Sequence, residues 1–193
     1  VKNNLQMIAS LLTLQTRTIT DPDAKASLKS MLARVEALGT VHKRLYQSND
    51  VQRFDVAAFA RELAVDLVRG SGRQGIELDF DLVPVEVAVE QAPPVALVMN
   101  ELLTNALKHA FPRDATGQLS LSVKPEGDMI RITIADDGIG MPSDVARDRT
   151  FGKRLIESLV RQLNAAIAWH QAKPGTRIEI RLPRDGTGYR NAP

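Results

Sequence analysis

Four side chains able to handle a phosphate, a metal ion or a proton fall on one stripe of an otherwise apolar segment. Glu101, Asn105, Lys108 and His109 stand at i, i+4, i+7 and i+8, which places them on one helical face. Around them are Val95, Leu97, Val98, Met99, Leu102, Leu103 and Leu107, so the helix that carries them has to be largely buried. A carboxylate, an amide, an ammonium and an imidazole in such a place are costly unless they line a polar cavity or meet partners. The same spacing also suits a solvated face. A second feature, Asp136-Asp137-Gly138-Ile139-Gly140-Met141-Pro142, follows directly on the alternating run 130–134. Two glycines one residue apart let backbone approach a ligand and adopt positive φ, and the aspartate leaving the strand offers an acceptor to a base amine. A plain Asp-Gly turn would use the same residues. Gly152, within Arg149-Thr150-Phe151-Gly152-Lys153-Arg154-Leu155, precedes another helical segment, and the first N–H groups of a helix attract anions. Gly175-Thr176 leads into the last strand and by itself says only that the chain turns there. Neither the Walker phosphate loop nor the Rossmann glycine fingerprint occurs.

The elements that must position these residues follow from periodicity. Apolar residues recur at three- and four-residue steps over 2–14, which predicts a helix. Asp21-Pro22 supplies a cap and a first-position proline for a second one. In that helix Leu28, Met31, Val35, Leu38, His42 and Leu45 form a seam, which a helical hairpin would bury on one side and a four-helix dimer on the rest. The polar break Gln47-Ser48-Asn49-Asp50 puts a domain boundary within 46–54. Asp55 then caps a helix with Val56, Phe59, Leu63 and Leu67 that ends near Gly70 and Gly72. Strict alternation predicts strands at 76–82 and 85–89. Pro93-Pro94 opens the helix of the polar stripe, which runs to about Ala110. Strands are expected at 119–123, 130–134, 166–169 and 177–182, with a helix at 151–163. Strands and helices mix without regular alternation, so the fold class is α+β: a two-helix hairpin followed by an α/β sandwich with a mixed sheet. Residues 184–193, rich in glycine and polar side chains, read as a loose tail.

Composition narrows the function classes. Lys plus Arg number 25 against 23 Asp plus Glu in 193 residues, and no basic run occurs, which gives no electrostatic case for nucleic acid or a membrane surface. Cysteine is absent, which excludes disulfides, thiol catalysis and cysteine-ligated metals. No apolar stretch is long enough to cross a bilayer, and no signal-peptide pattern is present. The first residue is Val1, so the chain reads as a piece of a longer protein.

The order of the chemical features carries more than any one of them. A polar-striped helix with Glu and Asn four apart, a strand running into Asp-x-Gly-x-Gly, a Gly before a helix and a Gly-Thr before the final strand resemble the boxes of the Bergerat ATP-binding fold. Gyrase, the ninety-kilodalton heat-shock chaperone and the sensor histidine kinases share that fold. Val1-Lys2-Asn3-Asn4-Leu5-Gln6, Arg34-Val35-Glu36-Ala37-Leu38 and Val41-His42-Lys43-Arg44-Leu45-Tyr46 resemble the dimerisation hairpin of the HWE-related histidine kinases. The box running from Asn100 to Phe111 is similar to theirs. Trp169 does not form the Trp-x-Glu signature of the strict HWE group, and the chain is nearer to its sister, the second HisKA dimerisation family.

That resemblance implies a transmitter core of a bacterial two-component sensor kinase, cytoplasmic. Residues 1–48 would be the dimerisation and histidine-phosphotransfer hairpin, and residues 49–183 the catalytic ATP-binding domain. The γ-phosphoryl of Mg-ATP would pass to a histidine of the hairpin and then to an aspartate of a response-regulator receiver domain. A sensor domain would lie upstream, and the hairpin would form a homodimer. Asn105 would hold the Mg²⁺ that bridges the phosphates. Glu101 would be a catalytic residue, standing where related ATPases place the base that polarises attacking water, and Lys108 and His109 would face phosphates. Asp136 would accept the adenine amine, Gly138 and Gly140 would let the chain pass the base, and Thr176 would join Asp136 there. Residues 141–150 would form the ATP lid, and Gly152, Lys153 and Arg154 would contact phosphate. The family's acceptor histidine precedes the Val-Lys-Asn-Asn run, so this chain is expected to lack it and to be unable to phosphorylate itself alone. Of its own histidines, His42 reads as a seam residue, His170 as a surface residue, and His109 as either a phosphate contact or a satisfied helix end. The rival readings are a docking or relay module that uses no ATP, and an ATPase of the same fold that activates water through Glu101.

Overall fold

The computed structural model describes residues 2–47, 53–112, 115–140 and 151–185. Helices α1 (Lys2–Thr18) and α2 (Pro22–Gln47) form the hairpin. Asp21 sits where its capping role requires, its Oδ2 accepting the Ala24 N–H at 2.8 Å, which supplies an acceptor to one of the free N–H groups of the first turn. Among the seam residues whose burial is described, which leaves out Leu45, none is buried. Ala37 and Val41 are buried, whereas Met31 is exposed and Leu28, Val35 and Leu38 are half-buried. The reason is that α2 packs on α4 as well as on α1, and the face bearing Arg34, Ala37 and Val41 is the one it turns inward.

Two three-residue strands, β1 (Arg53–Asp55) and β3 (Glu86–Ala88), pair antiparallel apart from the main sheet. β1 overlaps the end of the span 46–54 expected to hold the domain boundary, and the run expected as a strand at 85–89 shortens to β3. A 3-10 turn (Val89–Gln91) follows it and leads directly into α4 (Ala92–His109). Buried Gln91 secures that junction: its Oε1 accepts the Ala88 N–H and its Nε2 donates to the Pro183 carbonyl at 2.7 Å. Asp55 caps α3 (Val56–Gly70), its side chain accepting the Ala58 N–H at 3.0 Å.

The main sheet contains β2 (Ile76–Leu82), β4 (Gly117–Glu126), β5 (Met129–Asp136), β6 (Ala166–Gln171) and β7 (Thr176–Pro183), in the order β2-β4-β5-β7-β6. β2 runs parallel to β4 and every other pairing is antiparallel, so the sheet is mixed, as expected. Register places Ile134 beside Leu121 and Ile178, and Ile132 beside Val123 and Ile180. These aliphatics are buried beneath α3, α4 and α5 (Phe151–Gln162), against Phe59, Met99, Leu102, Leu103, Ile156 and Leu159. The opposite face carries ion pairs, among them Lys124 with Asp81 and Arg181 with Glu126 and Glu179. Each buried aliphatic contributes about 1.5–3 kcal/mol and an exposed ion pair at most about 1 kcal/mol, so the helix-covered face holds the fold together.

Arg184 and Asp185, the first residues of the expected tail, are tied down. The Arg184 carbonyl accepts the Ala88 N–H, the Arg184 N–H donates to the Asp128 carbonyl, and Asp185 pairs with Arg53 at 2.7 Å. Residues 186–193 lie outside the described residues. The backbone is most constrained where β7 begins. Gly175 has φ +93°, and a Cβ there would fall 1.8 Å from the Asp136 carbonyl oxygen. Gly127, with φ +64°, has open space where its Cβ would be. Gly127→Ala should therefore cost only the left-handed backbone penalty, about 1–2 kcal/mol. Gly175→Ala should cost clearly more, at least about 3 kcal/mol. Urea denaturation of the two variants compares these directly.

Candidate functional site

The turn after β5 is built against the end of α4. The Ile139 N–H donates to the Ala110 carbonyl at 2.8 Å, and a Cβ on Gly138 would fall 2.1 Å from the same oxygen. Only glycine fits there. Gly140, at φ +78°, has the Gln171 side chain 2.4 Å from where its Cβ would stand. The two adjacent aspartates have different tasks. Asp137 is structural: its Oδ1 accepts the Gln118 N–H at 2.7 Å and its own N–H donates to the Gln118 carbonyl, which fastens the turn to β4. Asp136 belongs to the helix-facing row of the sheet, paired with Thr176 and Leu119.

Asp136 Oδ1 accepts two main-chain N–H groups, from Gly138 at 3.0 Å and from buried Thr176 at 3.2 Å. Oδ2 has no hydrogen-bond partner among the described residues and remains an open acceptor. Burial pushes the carboxyl above the ordinary value of 3.8, the two N–H bonds pull it down, and the neighbouring charge of Asp137 raises it further; the net direction is upward. The expected grouping of Asp136, Gly138, Gly140 and Thr176 is thus a real juxtaposition. Thr176 joins through its backbone N–H.

Glu101 and Asn105 lie one turn apart on α4, Glu101 buried and Asn105 half-buried. Gly152, at the start of α5, stands over the carboxylate: a Cβ on it would be 3.3 Å from Glu101 Oε2. Glu101 does not face an empty cavity. Arg34 of α2 grips it with both arms, Nε to Oε1 at 2.6 Å and Nη2 to Oε2 at 2.9 Å. The two side chains are 16% and 6% exposed. A bidentate guanidinium–carboxylate pair this dry is strong and directional, and removing one partner from such a pair typically costs about 3–5 kcal/mol. Sequence reading missed Arg34, although it falls in one of the segments on which the hairpin resemblance rests.

Lys108 and His109 are exposed at the end of α4. Lys108 lines a cavity of about 690 Å³ between α2, α3 and α4, together with Asn100, Thr104, Asp66 and Glu36. That is the hairpin side of the helix, away from the Asp136 turn. Lys153 is half-buried in the first turn of α5, next to exposed Arg154. His42 is half-buried and His170 exposed. Residues 141–150, the expected lid, lie outside the described residues. Among the described residues no group of three or more His, Asp or Glu gathers to hold a metal. The side-chain oxygen of half-buried Asn105 is a hard donor of the kind Mg²⁺ accepts.

Comparison with known proteins identifies the two parts of the chain. Residues 1–70 match a family described as histidine kinase, and residues 90–186 match the family of histidine kinase-, DNA gyrase B- and HSP90-like ATPases. The chain is 30% identical over 190 residues to blue-light-activated histidine kinase 2 of Erythrobacter litoralis, covering 95% of itself and 54% of that protein. It is 28% identical to the sensor histidine kinase PdtaS of Mycobacterium tuberculosis, covering 38% of it. The chain therefore spans about half or less of the length of these relatives. The solved histidine kinase domain of the Erythrobacter litoralis blue-light-activated kinase superposes with a TM-score of 0.73 at 29% identity, over 95% of this chain and 87% of that one. A hairpin matched to one histidine kinase family, followed by the ATPase fold matched to the other, makes this chain a member of the HWE-related histidine kinases of the second HisKA class.

Proposed function

We propose that the chain is the transmitter core of a two-component sensor kinase, moving the γ-phosphoryl group of Mg-ATP to a hairpin histidine and onward to an aspartate of a response regulator. The observation that carries this reading is the Asp136 turn, held against the end of the Glu101–Asn105 helix by the Ile139–Ala110 bond with an unused carboxylate oxygen. A purine amine finds its acceptor in Asp136 Oδ2, while Gly138 and Gly140 permit the tight turn that presents it. Asn105 would hold Mg²⁺, which when bound neutralises charge on the phosphates. In the transfer an imidazole nitrogen forms a bond to γ-phosphorus, the bond from phosphorus to the β–γ bridging oxygen breaks, and ADP leaves. The proton on the other imidazole nitrogen must then be lost, and Glu101 is the carboxylate assigned to take it. Gly152, Lys153 and Arg154 would serve the phosphates from the start of α5. Met7, Ile8, Leu11 and Leu14 on α1 are all exposed, which favours a homodimer formed through the hairpin. An upstream sensor domain and a receiver-domain partner complete the reading, with a cytoplasmic location.

The central test extends the chain upstream of Val1, where the family resemblance puts the acceptor histidine, and incubates it with γ-labelled ATP and Mg²⁺. An acid-labile, base-stable label is expected, and it should be absent when that histidine is replaced. A protein that binds Mg-ATP and never takes up label would be a relay or an ATPase instead.

Asn105→Ala should weaken Mg-ATP binding at least tenfold and metal-free ATP binding by less than twofold. Titration calorimetry with and without Mg²⁺ separates the two, and an equal loss in both would remove Asn105 from the metal.

Asp136 gives a pH-dependent test. Its ionised form is the acceptor and its titration is displaced upward, so ATP affinity should begin to fall at a higher pH than an ordinary aspartate would dictate. Asp136→Asn keeps an oxygen for Gly138 and Thr176 but turns an NH₂ toward the purine amine, and ATP binding should drop at least tenfold. The sign for stability is opposite to that of a paired carboxylate. A value raised by folding means that the charge opposes folding once the pH is above it, so Asp136→Asn should melt at or above the parent's Tm at pH 7. Loss of ATP binding together with a lower Tm would point to misfolding in place of a lost acceptor.

A further inference from the structure

We infer that Arg34 is the positioning residue through which the hairpin governs Glu101, withholding the carboxylate while α2 is docked on α4 and releasing it when the two part. The inference rests on Glu101 being the proton acceptor proposed above.

The geometry supplies the withholding. Both oxygens of Glu101 are engaged by one guanidinium, at 2.6 and 2.9 Å. A carboxylate so held is aimed at α2 and is not free to turn toward an imidazole. Arg34 also lies on the hairpin, whereas Glu101 lies on the nucleotide-binding domain, so the pair cannot survive a movement of one against the other.

The surrounding contact is suited to separation. Beside the pair, Ala37 and Val41 are the apolar residues of α2 that are buried among those whose burial is described, and both are small. Next to them is the cavity of about 690 Å³, walled by Lys29, Glu36, Asp66, Arg73 and Lys108 as well as by apolar groups. At its α4 wall, Asn100 Oδ1 and Thr104 Oγ1 are buried without a hydrogen-bond partner among the described residues. A groove lined by charged side chains adds little apolar burial to the contact, and the unmet polar atoms oppose docking. The ion pair is the strong directional contact that favours it, and a device of this kind switches as a unit.

The test exploits the absence of cysteine. Spin labels at Ser27→Cys on α2 and Ser158→Cys on α5, both exposed, report the separation of hairpin and nucleotide domain. Arg34→Ala leaves Glu101 buried and unpaired, so the distance distribution should shift outward and broaden; Arg34→Lys should restore part of the short population. A distribution in Arg34→Ala identical to the parent's would overturn the inference. In the upstream-extended chain, Arg34→Ala and the milder Arg34→Gln should raise the phosphorylation rate at saturating Mg-ATP about threefold or more and leave the Kd for Mg-ATP within twofold. A lower rate in both, with Kd unchanged, would show that Arg34 assists the reaction and that the inference is wrong. Glu101→Gln in that chain tests the underlying assignment separately. A rate equal to the parent's would remove Glu101 as the acceptor of the proton, whatever the spin labels report.

Discussion

The closeness of two pieces of main chain, the carbonyl of Ala110 at the end of α4 and the amides of the turn after β5, sets where everything else in the site must go. Ile139 donates to that carbonyl, and Gly138 passes it so tightly that any side chain would collide with it. The contact joins the helix carrying Glu101 and Asn105 to the strand that ends in Asp136. Through Asp136 Oδ1 it continues to Thr176 at the head of β7, and through Gly175 to the backbone of Asp136 from the other side. Three elements separated in sequence thus meet over main-chain atoms, which bend far less readily than side chains. That arrangement leaves Asp136 Oδ2, the one oxygen not needed for holding the turn, free for a ligand.

Much of this was legible beforehand because local chemistry signals it. Asp21 and Asp55 cap the helices they were expected to cap, since a cap is a contact between near neighbours. The alternating runs at 76–82, 119–123, 130–134 and 177–182 became strands because one face of each is buried and the other wet. What escaped depends on distant partners. β1 has three residues and exists only because β3 pairs with it, so no periodicity could announce it. The burial of Ala37 and Val41 in preference to the seam reflects a second packing partner, α4, that the hairpin pattern alone does not encode. Lys108 keeps the face of Glu101, toward the hairpin, but two turns and about 10 Å farther along the helix, so shared spacing does not bring it to the same neighbours.

Arg34 illustrates the same limit at the site itself. An arginine on an amphipathic helix is ordinarily a solvated end of a flexible chain, and nothing local distinguishes this one. Its partner is 67 residues away, and its burial follows from the packing of α2 on α4. The family resemblance included the segment holding Arg34 and attached no role to it, because a resemblance transfers recognised positions and is silent on the rest.

The contrast between the two interfaces of α4 bears on how such a protein can be both stable and responsive. Toward the sheet the helix buries Val95, Val98, Met99, Leu102 and Leu103, a continuous apolar contact whose loss would unfold the domain. Toward the hairpin it presents an ion pair, a cavity and two unmet polar atoms. Apolar burial is non-directional and degrades gradually with displacement, whereas a bidentate ion pair fails once its geometry is lost. Placing the first kind of contact beneath α4 and the second above it lets the hairpin move without loosening the nucleotide site. The residue caught between the two surfaces is Glu101, so a motion of α2 too small to disturb the fold is still large enough to change what that carboxylate can reach.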